Sequence, residues 1–125
     1  MPNSIKLMSA TPSVAIVSML GEHDLGDFEP LKIAFAKAAI RAPNVIADLS
    51  DCSFIDSIVI ALLLHVQSVI AQDGGRVAVA LPNEPNAVNR VADLIDLGQL
   101  VPVYASVKAA LASFGQAEPA TATPA

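Results

Sequence analysis

Cysteine, tryptophan and long apolar runs are scarce or absent in this sequence, and each absence narrows the class of protein. The single cysteine, Cys52, cannot form an internal disulfide, which favours a reducing compartment. No apolar run approaches the roughly 18 residues of a membrane-spanning helix. No basic cluster leads an apolar segment near the N-terminus, so a secretory signal is not predicted. We therefore expect a cytoplasmic protein.

Charged residues are also few, and most of them are acidic. They make up 15% of the chain, and the formal net charge is -5 at pH 7. This balance argues against nucleic acids and anionic membranes as ligands, because both repel a negative surface. The 125 residues, of which 54% are apolar, suffice for one domain with a buried core. The expected partner is another protein.

Strand and helix patterns alternate along the chain. Short apolar runs predict strands at residues 5–8, 14–20, 45–49, 76–81 and 101–104, and helical spacing predicts helices at about 27–41, 57–72, 83–97 and 106–114. Thr11-Pro12-Ser13 is typical of a hairpin turn between the first two strands. The order predicts an α/β domain around a mixed sheet of about five strands and about four helices. The domain is expected to cover residues 1–115, followed by a disordered Ala/Pro/Thr tail at 116–125.

The helix that begins near Ser57 is the most informative stretch. A buried strand ends at Leu49, polar residues follow, and the dipeptide Asp56-Ser57 comes directly before a long helical pattern. Ser57 can cap its own helix, because its hydroxyl oxygen can accept from the free amides of the first turn. The same helix start favours an added phosphate, since those amides and the helix dipole attract negative charge. Ser57 is therefore either a cap alone or also a switch.

The two faces of this helix differ in their predicted surroundings. Spacing of 100° per residue predicts a core face of Val59, Leu62, Leu63, Val66, Val69 and Ile70. The opposite face carries Ser57, Ile60, Ala61, Leu64, Ser68 and Gln72. Ile60 and Leu64 are then apolar residues outside the core, beside the serine, and they form a candidate protein-binding surface. The alternative is that another helix or a second copy of the chain covers them, as in a homodimer.

Acidic residues gather around the same point. Six of the 12 acidic residues lie after the second strand or flank the third: Glu22, Asp24, Asp27, Glu29, Asp51 and Asp56. If the two loops are adjacent, Ser57 lies within a negative rim. Carboxylates also bind hard cations, but the spacing matches no calcium loop and helix starts attract acids in any case. We therefore expect neither a metal nor another cofactor.

Several motifs, taken in order, resemble those of the STAS domain family, which is named for sulfate transporters and anti-sigma factor antagonists. The resemblance covers nearly all of the ordered chain, from about Ile5 to Phe114. The motifs are Gly21-Glu22-x-Asp24, Asp48-Leu49-Ser50 leading to Phe54-Ile55-Asp56-Ser57, Gly74-Gly75 before a buried strand, Asn83-Glu84-Pro85-Asn86-Ala87-Val88-Asn89-Arg90-Val91, and Asp96-Leu97-Gly98.

The resemblance implies a non-catalytic switch protein in transcription regulation. In free-standing family members, a partner serine kinase that doubles as an anti-sigma factor phosphorylates the serine after the aspartate, and a phosphatase resets the cycle. Carried over, the acceptor is Ser57, with Asp56 beside it. The implied partner-binding residues are Glu22, Asp24, Asp56, Ser57, Ile58, Ile60, Ala61 and Leu64.

The residues after Ser57 depart from the family pattern. The family usually continues with a second Ser or Thr, then Gly and Leu, whereas this chain has Ile58, Val59 and Ile60. The missing glycine changes how closely a kinase could approach the backbone, and β-branched residues stiffen the first turn. A second hypothesis is therefore a binding subunit or scaffold that is not phosphorylated, within a stress-signalling or lipid-transport complex.

Enzymatic functions find little support in the sequence. Cys52 could act as a nucleophile with His23 or His65, but nothing in the sequence places a base beside it, and a buried structural thiol is the preferred interpretation. A response-regulator receiver would need a lysine after the last strand, where the chain has Ala105 and Ser106. No glycine-rich phosphate loop occurs either, because Gly74-Gly75 precedes a strand. We expect no catalytic activity.

Overall fold

Strands and helices alternate in the structure much as the apolar patterns predict. The computed structural model describes residues 3–115, and the predicted tail lies outside them. In chain order the elements are β1 (Ser4–Thr11), β2 (Val14–His23), α1 (Phe28–Arg41), β3 (Asn44–Asp48), β4 (Cys52–Ile55), α2 (Ser57–Gln72), β5 (Val77–Ala80), α3 (Ala87–Leu94), β6 (Val103–Tyr104) and α4 (Val107–Ser113).

The main sheet has the strand order β1-β2-β3-β5-β6. β1 and β2 form the predicted antiparallel hairpin, and the amide of Ser13 donates to the hydroxyl of Thr11 in the connecting turn (3.2 Å). The pairs β2–β3, β3–β5 and β5–β6 are parallel, because helices connect the strands. The predicted mixed α/β architecture is confirmed.

β4 is a strand that the sequence does not reveal. It pairs in parallel with the last part of β2, with Gly21 beside Cys52 and His23 beside Ile55. β2 is 10 residues long, so its first half pairs with β3 and its end pairs with β4. Only Cys52 and Ile55 of β4 are buried, which explains why the segment resembles polar punctuation. Gly21 supplies the kink in β2 at this junction, since its φ of 87° suits glycine alone without strain.

The sheet is covered on both faces. α1, α2 and α3 pack on one face and contribute to the larger core, which includes Phe35, Leu63 and Val88. α4 packs on the other face, where Ala110 joins a smaller cluster with Ile46. Strands buried on both faces are apolar at every position, as in β5. This layering leaves the amino end of α2 at the carboxyl ends of the strands.

The start of α3 differs from the prediction, whereas the start of α4 matches it. The sequence predicts a helix from about residue 83, but α3 begins at Ala87 and Asn86 is its cap. The side-chain oxygen of Asn89 accepts from the backbone amide of Asn86, and the side chain of Asn86 accepts from the backbone amide of Asn89. These two bonds form a capping box, which fixes the later start of the helix. The helix predicted from about residue 106 is α4, and Ser106 caps it by accepting from the amide of Ala109 (3.0 Å).

Among residues 3–115, no helix is long and apolar enough to cross a membrane.

Candidate functional site

The amino end of α2 is built by Asp56 and not by Ser57. One carboxylate oxygen of Asp56 accepts from the amides of Ile58 (3.1 Å) and Val59 (3.0 Å). Asp56 is in an extended conformation, as an N-cap residue requires, and Ser57 is the first helical residue. The prediction that Ser57 caps its own helix is therefore wrong. An aspartate one residue earlier already occupies the amides that the serine would need.

The second carboxylate oxygen of Asp56 holds the loop after β2. It accepts from the amide of Leu25 (3.1 Å), which begins a short 3-10 turn. Asp24 caps that turn by accepting from Gly26 (2.9 Å), and Asp27 accepts in return from the amide of Asp24 (3.3 Å). The loop after β2 and the start of α2 are therefore adjacent, as the rim of acids requires.

The acidic side chains of this rim have no Lys or Arg partner among residues 3–115, and Asp27 lies 3.4 Å from Nδ1 of buried His23. Glu22 and Asp51 line one shallow depression with Asn3 and Ser53, while Asp24 and Asp56 accept backbone amides. Within the described chain, no Lys or Arg nitrogen lies within 4.0 Å of a carboxylate oxygen. The same residues contain no group of three or more His, Cys, Asp or Glu side chains that could hold a metal ion. A charge added at Ser57 would therefore enter an uncompensated negative surface.

The predicted apolar face of α2 is partly wrong. Ile60 is only 8% exposed and belongs to the core, and Leu64 is half-buried against it. Val69, which was expected in the core, is 43% exposed. The buried side of the helix is thus rotated from Val69 towards Ile60, and Ile60 is not available as a contact for a partner or a second copy. Ala61 is exposed, as predicted.

Three other apolar side chains are exposed beside Ser57. They are Leu25, Phe54 and Ile58, with exposed fractions of 65%, 40% and 38%. Leu25 is tied to Asp56 through its amide, and Phe54 pairs with Glu22 across the two strands. Only Ile58 was expected at this surface. Strand alternation places Phe54 on the same side of β4 as buried Cys52, so no signal in the sequence marks Phe54 as exposed.

Cys52 is a buried structural thiol, as its surroundings show. It is 1% exposed, and its Sγ donates to the carbonyl of Phe54 (3.4 Å). Burial raises the pKa of the Cys52 thiol from its ordinary value of 9.0 to about 11. The group is therefore a neutral thiol at neutral pH and is a poor nucleophile.

The two histidines do not complete a catalytic pair with this thiol. His23 is fully buried, and its Nε2 lies 2.9 Å from the carbonyl oxygen of Leu20. A carbonyl only accepts, so Nε2 carries the proton in this contact. The other nitrogen, Nδ1, lies 3.4 Å from an oxygen of Asp27 and makes no hydrogen bond. His65 is exposed on α2, and the thiol of Cys52 donates to the carbonyl of Phe54 instead of bonding to either histidine.

The sequence is similar to a known protein family and to one of its curated relatives. A profile of the family described as "Mlab, STAS domain" matches residues 7–102. An anti-sigma F factor antagonist of Paenibacillus polymyxa is 29% identical over 93 residues, which cover 73% of this chain and 78% of that protein.

The structure is similar to solved anti-sigma factor antagonists. One from Mycobacterium paratuberculosis superposes with a TM-score of 0.78 at 24% identity, covering 90% of this chain and 93% of that chain. SpoIIAA in its unphosphorylated form gives a TM-score of 0.73 at 20% identity, with coverages of 90% and 97%. SpoIIAA of Bacillus in its phosphorylated form gives 0.67 at 20% identity, with coverages of 89% and 99%. At these identities the structural similarity establishes the fold.

Proposed function

The chain belongs to the STAS domain family, and we propose that it is a non-catalytic, cytoplasmic anti-sigma factor antagonist. Its partner is an anti-sigma factor that is also a serine kinase, and it binds through the surface around Ser57. Phosphorylation of Ser57 by that kinase releases the complex, and a phosphatase restores the binding form. Relatives described as anti-sigma factor antagonists support this role.

The observation that carries the proposal is the position of the Ser57 side chain. Ser57 is exposed at the first position of α2, and within residues 3–115 its hydroxyl makes no hydrogen bond. The cap is supplied by Asp56, so modification of the serine would not cost the helix its cap. A kinase can therefore reach the hydroxyl without opening the fold.

A phosphate at this position would act on the partner more than on the domain itself. The amides of Ile58 and Val59, which could have bound it, already donate to Asp56. The added charge, roughly -1.5 to -2, would stand beside the exposed side chains of Leu25 and Phe54. A partner that covers these apolar groups would have to desolvate the phosphate as well, which costs several kcal/mol unless it is paired.

The residues that depart from the family pattern change this surface at one position only. Val59 and Ile60 are buried in the core, whereas the side chain of Ile58 is exposed. The kinase would meet an isoleucine side chain where relatives present Ser or Thr. We infer that Ile58 adapts the site to a partner with a matching apolar contact.

The proposal is tested with the purified protein and the serine kinase of the anti-sigma type encoded nearest to its gene. Incubation with ATP should add one phosphate, located at Ser57 by mass spectrometry. Ser57→Ala should abolish this, whereas Ser53→Ala, an exposed serine on the same surface, should leave it unchanged. Ser57→Asp should weaken binding of the kinase at least tenfold. Unchanged binding by Ser57→Asp, together with no phosphate on Ser57, would contradict the switch.

A second candidate is a constitutive binding subunit of a larger stress-signalling or lipid-transport assembly. It is favoured by the exposed Ile58, which offers apolar contact where a kinase substrate of this family offers a hydroxyl residue. This function predicts that Ser57→Ala and Ser57→Asp bind the partner equally well. Ile58→Glu should then abolish binding, while Ser57 itself stays unmodified in cells.

A further inference from the structure

The outer edge of β1 is unpaired in the described part of the chain. β1 has 8 residues and lies at one end of the sheet, with β2 as its only strand neighbour. An edge strand presents a row of backbone N–H and C=O groups that can pair with another extended segment. No β-bulge interrupts β1 between Ser4 and Ser9. The edge is therefore regular over the stretch that lies beside α1.

An apolar groove runs along this edge, between β1 and α1. It has a volume of about 420 Å³, and its lining includes Ile5 and Leu7 from β1 and Ile33 and Ala34 from α1. Ile5 and Leu7 are half-buried, whereas the side chain of Ile33 is 51% exposed. Ile5 and Leu7 are two residues apart, so they face the same side of the sheet. A strand added to β1 would place alternate side chains in this groove.

The groove is cationic although the whole protein is acidic. Lys37 and Arg41 line it. The other two cations of β1 and α1 lie elsewhere, because Lys32 faces a depression between α1 and α2, and Lys6 faces the opposite side of β1 from Ile5 and Leu7. Glu29, in the first turn of α1, is the one acid on these elements. None of the four cations has a carboxylate oxygen within 4.0 Å among residues 3–115.

We propose that this edge and groove bind an acidic, extended peptide segment of another protein, which adds to the sheet as a strand beside β1. Main-chain hydrogen bonds to β1 would supply the register, and apolar side chains at alternate positions would fill the groove. Acidic residues near one end of the segment would pair with Lys37 and Arg41. The groove follows α1 from Pro30 to Arg41, and Arg41 ends α1 just before β3 begins. The Arg41 end of the groove therefore lies near the amino ends of the parallel strands. Ser57 lies at their carboxyl ends.

Charge decides between this occupant and two others. A second copy of the chain, paired edge to edge through β1, would bring two cationic grooves together, and like charges across paired strands are destabilising. An anionic membrane would attract the cations, but it offers no backbone groups to the free edge of β1. An acidic extended peptide can pair with the edge of β1, fill the apolar groove and neutralise the cations at the same time.

The test uses the full-length protein, labelled with ¹⁵N, and a synthetic peptide of 8 residues, the length of β1. One side of the peptide strand carries two valines followed by two glutamates, to match the apolar and the cationic parts of the groove, and the other side carries threonine. Saturable binding should shift the backbone signals of β1 and of Ile33, Lys37 and Arg41, and leave those around Ser57 unchanged. The double variant Lys37→Glu/Arg41→Glu should weaken binding at least tenfold. Arg90→Glu/Lys108→Glu makes the same charge change on exposed residues of α3 and α4 and should bind like the wild type.

A second peptide tests strand addition independently of any variant. It has the same side chains, but alternate backbone amides are N-methylated so that it cannot pair with a strand, and it should not bind. The proposal is overturned if this peptide binds as tightly as the first, or if neither binds at about 1 mM. Binding to vesicles of roughly equal phosphatidylcholine and phosphatidylserine, with no peptide binding, would assign the surface to a membrane. A concentration-dependent dimer lost in Lys37→Glu/Arg41→Glu would assign it to a second copy.

Discussion

Asp56 joins two segments that are far apart in the sequence. One oxygen caps α2 and the other holds the amide of Leu25, 31 residues earlier. Ser57 and the apolar side chain of Leu25 are therefore fixed relative to each other by a single carboxylate. The position of the proposed phosphorylation site depends on this residue, although the phosphate would be carried by its neighbour.

Replacing Asp56 with alanine should destabilise the fold by about 1 to 2 kcal/mol, because an N-cap is lost together with the bond to Leu25. Urea denaturation measures the difference. Asp73→Ala is the matched control at the other end of α2, where an acid opposes the helix dipole and its removal should change stability by less than about 0.5 kcal/mol. Equal effects of the two substitutions would contradict the role of the cap.

Cys52 should be inert towards thiol reagents in the native state. Its raised pKa, about 11, keeps the thiol protonated at pH 8, and burial blocks access. Reaction with Ellman's reagent should become fast only after denaturation. Fast labelling of the native protein at pH 8 would show that the thiol is accessible.

The same thiol predicts how stability depends on pH at the alkaline end. Between about pH 9, the ordinary pKa, and about pH 11, the unfolded state loses the Cys52 proton while the folded state keeps it. The folded state then binds more protons, so the free energy of unfolding falls as pH rises through this window. Below pH 9 both states are protonated and the thiol contributes no pH dependence. In the Cys52→Ala variant, the free energy of unfolding should lack this decrease when urea denaturation is measured at a series of pH values.

At the scale of elements, the orientation of α2 decides which isoleucines are structural. Ile60→Ala should cost about 2 to 4 kcal/mol of stability, because Ile60 is a core residue at 8% exposure. Ile58→Ala, two residues earlier, should change stability by less than about 0.5 kcal/mol and should instead weaken partner binding. Urea denaturation and partner titration of both variants separate the two roles. The reverse pattern would restore the facing expected from the helical wheel.

Most elements could be predicted because their apolar spacing is strong. The α2 bounds and the hairpin follow from local pattern alone. β4 could not be predicted, because it is short and because its pairing with β2 is a tertiary contact between residues some 30 positions apart. The facing of α2 also depends on its neighbours in the fold. The neighbouring elements bury the side of α2 that includes Ile60 and leave Val69 exposed. Periodicity cannot predict which side is buried, because the helix is apolar nearly all round.

The candidate site was predictable in its position but not in its detailed contacts. Asp56-Ser57 stands out in the sequence, yet either residue is a good cap by type, and only the geometry shows that the aspartate takes that place. Leu25 and Phe54 could not be recognised as surface residues. Leu25 belongs to a loop held by Asp56, and Phe54 belongs to β4, which the sequence does not reveal.

At the scale of the whole molecule, the two ends of the sheet differ in the charges that they carry, although Asp73 lies at the same end as Arg41. Acids surround Ser57 at the carboxyl ends of the strands, and Lys37 and Arg41 lie at the amino ends. We expect the proposed anti-sigma partner to place basic groups against the acids of this end and an apolar surface, without a basic group, against Ser57. Raising the ionic strength from about 0.05 to about 0.5 M should then slow association, since salt screens attraction between exposed charges. Association rates measured by stopped flow that do not change with salt would rule out this steering.

β2 pairs with three different strands, and this has a consequence for the way the domain opens. Backbone amides in β2 can exchange with solvent deuterium only when the hairpin, β3 or β4 also separates, so they should be released near the free energy of global unfolding. β6, with 2 residues and a single partner strand, should exchange through small local openings. The segment that carries Asp56 is thus attached through β4 to the slowest-opening part of the domain. The proposed binding surface would then remain formed even while the far edge of the sheet frays.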